Sequence, residues 1–295
     1  MPRSRWMPLP SWSVVTATGR DARAFLQGQL TNDLLALDRH PGLLAAACNR
    51  QGRVIAVLRL AARSDAVLML LPRAMAPLLV AHLSRFVLRS AVVFGDVTDE
   101  VVGLLDAPPS LQVDAGRAGI GFLVAGPRRT LLVGARPAVS AVLADVSEAA
   151  AEDWEAASIE DGEPAIYPET SGLWLPQMIN LDLLAAISFG KGCYLGQEIV
   201  ARAQHLGRIK RRMLRYAGPP GSQVGPGQML YAAADPAAQV VRACGEKRNQ
   251  CLAVVALGDC GELLGAAPSG REFAPADLPY AIPAPAPEEA TLPAG

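Results

Sequence analysis

Residues 188–213 read SFGKGCYLGQEIVARAQHLGRIKRRM, and the remainder of the chain is best understood outward from them. Gly190, Gly192 and Gly196 lie within seven residues, a density suited to positive φ or close backbone approach rather than to a plain connector. The turn carries a lone cysteine, Cys193, flanked by Lys191 and Tyr194. It runs into a helical pattern in which Ile199 and Val200 are apolar and Arg202 and Gln204 polar. A neighbouring cation and a helix start both place positive potential on a thiol and favour its thiolate. The same spacing suits an inert cysteine in a tight loop, and on spacing alone that reading leads.

Beyond the turn the charge becomes one-sided. No acidic residue occurs between Ile199 and Ala234, whereas Arg202, Arg208, Lys210, Arg211, Arg212 and Arg215 all fall there. Six unopposed cations suit a phosphate, a carboxylate-rich ligand or an RNA backbone, and they suit a solvated strand face equally well. The whole chain has a net charge of −1, so any pull on an anionic partner has to come from such a local patch.

A length of 295 residues with 51% hydrophobic and 19% charged residues excludes a disordered protein and allows two or three folded units. Arg59, Arg63 and Arg73 interrupt the most apolar region, so no run approaches the roughly 18–20 residues that cross a bilayer. The opening MPRSRWMPLPSW lacks an apolar stretch behind its basic residues and makes a poor secretory signal. A soluble cytoplasmic protein without a membrane partner is the expectation. Five scattered cysteines with no CxxC, and histidines only at 40, 82 and 205, give no support to a zinc site or a self-contained iron–sulfur ligand set.

Along the chain, residues 12–16 read as a strand, and Asp21 is placed to cap the helix behind it. The amide-rich turn 27–33 ends that helix. Runs 43–47 and 54–60 form a hairpin across 49–52, and 66–71 is a third strand. Pro72 suits the first turn of a helix reaching about Phe86. Strands at 91–94, 101–105 and 130–133, an Ala-rich helix near 138–144 and a helix over 152–161 follow without a βαβ rhythm, which favours α+β. Residues 167–184 read as a polar, Pro-containing connection. Short strands at 213–216, 239–243 and 251–257 between Gly/Pro turns suggest a small β-barrel or sandwich, and the chain from 283 reads as a disordered tail.

Several polar and aromatic residues are candidates for a site. Trp12 and Trp154 offer faces for stacking on a flat heterocycle or for filling a core, and the sequence alone favours the core. Gln27, Gln29, Asn32, Gln177 and Asn180 lie in polar connections, where amides read the edges of a pterin or base or satisfy loop backbone. Glu160 and Asp161 end one helix, and Glu198 opens another where a carboxylate is favoured.

Residues 191–198, KGCYLGQE, closely resemble the K-G-C-Y-x-G-Q-E signature of the YgfZ family of folate-binding proteins. More distantly they are similar to the K-G-D-F-x-G region of GcvT, the aminomethyltransferase of the glycine cleavage system. FLQGQLTND at 25–33, IEDGEP at 159–164, ETSG at 169–172, PQMINL at 176–181 and DLPY at 277–280 also match the family's segments, so the likeness runs to Tyr280. It implies a GcvT-like α+β fold with two α+β units around a central opening and a C-terminal β-barrel. The units would be 1–48 with 146–207 for folate, 49–145, and 208–282, with 283–295 as the tail. It also implies tetrahydrofolate or a related reduced folate as cofactor, and service to [4Fe–4S] client proteins, including those that modify tRNA. By motif position the resemblance assigns Trp12 and Trp154 to folate; Gln27, Asn180, Gln197, Glu198 and Arg202 are the further candidates for contact with it. Cys193 becomes the functional thiol, with Lys191 and Tyr194 beside it, and no resident metal is implied.

One departure bears on chemistry. GcvT enzymes carry an aspartate pair where this chain has Ala56 and Val57, which cannot position a proton. No stretch resembles their GYTGE folate loop either. A folate-binding accessory factor for iron–sulfur proteins therefore leads. A folate-dependent one-carbon transferase ranks second, and a tRNA-binding protein acting through 208–215 third.

Overall fold

The computed structural model describes residues 4–64, 66–96, 99–111, 119–205, 209–245, 248–268, 270 and 272–283. The first strands are β1 (Arg5–Pro8), β2 (Trp12–Thr18), β3 (Leu43–Cys48), β4 (Val54–Arg63) and β5 (Ala66–Pro72). They are followed by β6 (Val93–Asp96), β7 (Glu100–Leu105), β8 (Gly121–Val124), β9 (Arg129–Gly134) and β10 (Ser147–Glu148). The last are β11 (Arg211–Ala217), β12 (Met229–Ala232), β13 (Asp235–Cys244), β14 (Gln250–Ala256) and β15 (Ala274–Ala276). Helices are α1 (Ala22–Gln27), α2 (Ala76–Val87), α3 (Arg136–Val142), α4 (Ala151–Glu160) and α5 (Gln197–His205). The strands form three five-stranded sheets, ordered β3-β4-β5-β2-β6, β10-β1-β7-β9-β8 and β12-β13-β14-β11-β15. Helices and strands are mixed without parallel crossovers between long strands, an α+β arrangement.

Strand periodicity sorts the core. Successive side chains of a strand face opposite sides. In β2 and β5, Val15, Ala17, Met69 and Leu71 join the largest core cluster, while Trp12, Val14, Leu68 and Leu70 join a second. The sheet that holds β2 to β6 is thus covered on both faces, which explains why β4 and β5 read as nearly continuous apolar runs. The same alternation splits β7: Val101 and Leu105 face the second cluster, while Val102 and Leu104 face a smaller one that includes Val139 of α3. Between them Gly103 leaves room for an indole, since a Cβ there would lie 2.6 Å from Trp154. The third sheet shares its Met213, Val241, Leu252 and Val254 with the largest core and keeps Tyr216, Val240 and Phe273 in a cluster of its own.

The connection between α4 and α5 is irregular in backbone but far from a surface loop. Ile166, Trp174, Ile179, Leu181 and Ile187 are buried in the largest cluster. Its backbone bonds to the hairpin strand, with Val54 N–H donating to Trp174 O at 2.8 Å and Gly172 N–H to Val54 O at 2.8 Å. Near the other end of the described chain, the Tyr280 hydroxyl donates to Gly162 O at 2.8 Å. A side chain at Gly162, whose φ is +65°, would meet that hydroxyl at 2.5 Å.

Some local expectations change. Asp21 makes no cap bond to α1; its carboxylate instead accepts from Ala91 N–H at 2.7 Å and ties the helix start to the approach of β6. The helix expected from Pro72 begins with a 3-10 turn at Arg73–Met75, and Pro77 takes the early position in α2. Strands β1, β8, β10, β12 and β15 have two to four residues each and carry no periodicity of their own. Arg208, the turn 206–208 and the tail from 284 lie outside the described residues.

Gly103→Ala forces a methyl group into the buried indole and is expected to cost about 1–3 kcal/mol of stability. Urea unfolding is expected to show a lower midpoint with an unchanged slope.

Candidate functional site

The signature loop is held by its lysine. Lys191 Nζ donates to three backbone carbonyls, Gln27 O, Leu30 O and Asn32 O, each at 2.7 Å. An ammonium has three donors and no acceptor, so the three bonds consume it. The group therefore clamps the amide-rich turn after α1 against the loop. It also lies 5.4 Å from the centre of the Tyr194 ring. Burial lowers its pKa to about 8, with the Asp33 carboxylate opposing, so it is mainly the three-donor ammonium at neutral pH.

Around the lysine the loop divides into packed and open parts. Gly196, at φ +83°, sits where a Cβ would meet Asn49 O at 2.3 Å, so the loop lies against the β3–β4 hairpin. That hairpin turn is fixed by Asn49 Oδ1, which accepts from Gln51 N–H and Arg53 N–H at 3.0 Å each. Gly190 and Gly192 have open space instead. Tyr194 is buried and its hydroxyl has no partner among the described residues. Burial first, and the Cys48 thiol second, raise its pKa. Cys193, between the clamp and the packed tyrosine, is an exposed free thiol.

A cleft of about 540 Å³ opens beside the clamped turn, with Asn32, His40, Leu44, Val124, Asp161 and Leu184 among its lining. Its floor is an ion network. Arg59 and Arg129 both bond the Glu163 carboxylate, Arg129 Nη2 at 2.6 Å. Arg129 Nε donates to Asp161 Oδ2 at 2.6 Å and Nη1 to Ser158 Oγ at 2.8 Å. Arg59 completes its bonds on the carbonyls of Val124 and Ala125. Burial alone would raise the Glu163 pKa; Arg129, then Arg59 by charge and hydrogen bond, and Arg242 outweigh it and bring the value to about 2. Gly126 lets the Asp161 carboxylate lie on the backbone, since a Cβ there would be 2.2 Å from Oδ2. Two guanidinium groups face two carboxylates, and Asp161 Oδ1 has no hydrogen-bond partner among the described residues. The cleft therefore presents an acceptor oxygen above a neutral floor, between apolar walls. It has no free arginine to offer.

The expected site residues are distributed unevenly. Trp12 and Trp154 do meet, edge to face with ring centres 6.3 Å apart. They meet inside packing: Trp154 is fully buried and Trp12 7% exposed, and neither is among the cleft-lining residues. No face of Trp154 is open for a stacked pterin, because Gly103 and the Arg129 guanidinium, 5.2 Å from its ring centre, occupy its surroundings. Gln27 is spent on its own turn, donating to Asp33 Oδ1 and accepting from Leu34 N–H. Asn180, left-handed at φ 60°, donates to Met213 O at 2.7 Å and to the Tyr280 hydroxyl. Gln197 Oε1 accepts from Tyr194 N–H at 3.2 Å. Glu198 and Arg202 form an exposed pair along α5. Of the basic stretch, Arg212 is buried on Asp182 and the Gln177 carbonyl, and Arg215 bonds Gln250, leaving Lys210 and Arg211 exposed. The acids absent from 199–234 are thus supplied in part from elsewhere in the chain.

Arg59, Arg129 and Glu163 were not singled out by sequence reasoning. Arg59 carried a signal: a lone arginine inside the apolar run of β4 needs a buried counter-charge. Ala56 and Val57, in the place of the transferase aspartates, lie buried in the largest core cluster.

No family model matches the chain. The tRNA-modifying protein YgfZ of Edwardsiella ictaluri is 33% identical over 236 residues, covering 72% of this chain and 70% of that protein. The protein of the same name from Escherichia coli strain SE11 is 31% identical over 232 residues, covering 72% and 71%. That of Vibrio atlanticus is 28% identical over 229 residues, covering 74% and 71%. Among solved structures, the glycine cleavage system aminomethyltransferase T of Bartonella henselae superposes with a TM-score of 0.73 at 13% identity, covering 94% of this chain and 86% of its own. At that identity the likeness is one of fold.

Lys191→Met leaves three carbonyls without a donor and is expected to cost about 2–5 kcal/mol. Lys191→Arg is expected to rescue little, because a planar fork does not serve three converging acceptors; chemical denaturation of both variants checks this. Glu163, whose pKa falls from the ordinary 4.5 to about 2, contributes stability that is complete above pH 4.5 and lost as pH falls through about 2. Glu163→Gln is expected to be less stable at pH 7, with a gap to the native protein that narrows between pH 4.5 and 2 in urea melts.

Proposed function

The chain belongs to the YgfZ family, and on that premise we propose that it binds a reduced folate in the cleft beside the Lys191 clamp and serves iron–sulfur proteins through Cys193. The observation that carries this reading is Asp161 Oδ1, an acceptor without a partner among the described residues, set over a neutral floor between apolar walls. The amino-pyrimidine edge of a pterin presents adjacent N–H donors that a carboxylate oxygen accepts, and its flat ring suits Leu44, Val124 and Leu184. A ligand with a negative edge would face an acidic oxygen and no free cation there. Tetrahydrofolate thus fits the donor and acceptor set of the cleft. When bound, it supplies one-carbon or reducing chemistry.

The chain's own residues have separate tasks. Arg129 orients Asp161 through Oδ2, and Trp154 supports Arg129 from behind rather than touching the ligand. Asn32 lines the cleft while its carbonyl accepts from Lys191, so the cleft wall and the Cys193 loop are tied through one residue. Lys210 and Arg211 are the exposed cations left for a glutamate tail or for nucleic acid. Cys193 acts as a single exposed thiol toward a client's [4Fe–4S] cluster. Support for tRNA modification follows indirectly, through client enzymes, in line with the name the relatives carry. An aminomethyl-type transferase is the second reading; buried Ala56 and Val57 weigh against it.

Asp161→Asn is expected to weaken tetrahydrofolate binding by about tenfold or more in calorimetry, the loss of a charge-assisted acceptor. Cys193→Ala is expected to bind folate normally yet fail to restore iron–sulfur enzyme activity in cells lacking the native protein. Unchanged affinity in the first variant would remove the cleft from the proposal, and full activity in the second would remove the thiol.

A further inference from the structure

We propose that a second hollow, formed by the β3–β4 turn, helix α2 and the signature loop, binds the phosphate group of a small organic phosphate. It measures about 420 Å³ and is lined by Asn49, Arg50, His82, Arg85, Phe86 and Leu195, with Gln51 and Ile55. The inference does not rest on the folate reading, because none of these residues lines the first cleft.

Charge is the first argument. Many arginines of this protein are paired: Arg59, Arg129, Arg212 and Arg242 are buried on carboxylates, and Arg23, Arg63 and Arg128 hold carboxylates nearer the surface. Arg50 and Arg85 have no ion-pair partner among the described residues, and no carboxylate lines the hollow on which they converge. Two unpaired guanidinium groups at one concavity attract an oxyanion, and their forked donors match phosphate oxygens.

A polar atom without a partner is the second. The Nε2 of His82 is buried with no partner among the described residues. A buried polar atom of this kind calls for an explanation. A phosphate hydroxyl donating to Nε2, or an oxyanion accepting from it, satisfies the atom.

Shape is the third. The Asn49 side chain locks the turn that carries Arg50, so the cation is presented from a fixed backbone. Phe86, Ile55 and Leu195 supply an apolar wall suited to a planar base. The volume lies within the range of small-molecule sites. A nucleoside monophosphate and a nucleotide at the end of an RNA strand share this chemistry. Leu195 stands two residues from Cys193, so an occupant would abut the thiol loop.

Calorimetric titration of the full-length protein with inorganic phosphate, adenosine monophosphate and a short single-stranded RNA, at fixed salt of about 0.1 M, tests the site. Adenosine monophosphate is expected to bind, with affinity lowered at least tenfold in Arg50→Ala/Arg85→Ala and about threefold in the milder Arg85→Gln. The distant Arg136→Ala, which removes an exposed cation on α3, is expected to change nothing, and tetrahydrofolate affinity is expected to be unchanged in all variants. Tighter binding of the RNA than of the nucleotide assigns the phosphate to a strand, and the reverse to a free metabolite; both uphold the site. No heat with any of the three probes, or an equal loss in Arg136→Ala, overturns it.

Discussion

Glu163 is where the three sheets meet. Arg59 reaches it from β4, Arg129 from β9, and Arg242 of β13 donates to its main-chain carbonyl at 3.2 Å while bonding Glu155 at 2.8 Å. Each sheet thus sends one arginine to a single residue in the irregular connection after α4. Burying such charges is expensive, and removing one partner of a buried pair typically costs about 3–5 kcal/mol because the other is left uncompensated. The arrangement is tolerable because it closes: the guanidinium bonds of Arg59, Arg129 and Arg242 end on carboxylates, a hydroxyl or carbonyls. What remains is directionality, a fixed relative placement of the sheets that hydrophobic contact alone would leave looser.

Closure of that network decides the chemistry beside it. With Arg59 and Arg129 committed, the cleft is not a cationic pocket despite two arginines in its lining. Its character is set by the residue that the network leaves half free, Asp161. A similar division governs the signature loop. Lys191 and Tyr194, the neighbours of the thiol in the signature, are held by the fold: one clamps a turn and the other is packed beneath it. Cys193 is left as the exposed group, and a thiol on a rigid loop is held in place without being enclosed.

Much of the fold is readable from the chain because its long strands are apolar by period. Strands β2, β4, β5, β7, β9 and β14 announce themselves through Val, Leu and Ala runs, and helix α4 through its Gly162 stop. The short strands do not, since two to four residues take their register from a partner distant in sequence. The site was legible at its signature and illegible at its floor. Motif spacing locates Cys193, Lys191 and Tyr194 together, but it says nothing of which donors are already spent, and so Gln27 looks available when its whole amide is committed, and Asn180 when its amide nitrogen is. The tryptophans illustrate the same limit. Their proximity follows from the fold, whereas their enclosure depends on Gly103 and on an arginine 25 residues upstream of Trp154, which no local pattern reveals.

Strand β1 sits between β7 and β10, pairing residues 5–8 with 102–105 and residues 5 and 6 with 147 and 148. During synthesis residues 5–8 therefore wait for partners roughly 100 and 140 residues further along the chain. Met7, buried in the mature protein, spends that interval exposed. Loop closure over such a span is slow relative to hairpin formation. The sheet built on β2 to β5 is local and forms early, yet one of its faces stays bare until β1 and β7 arrive to cover it. For this protein the vulnerable period is synthesis itself, when that uncovered face is open to chaperones and to other nascent chains.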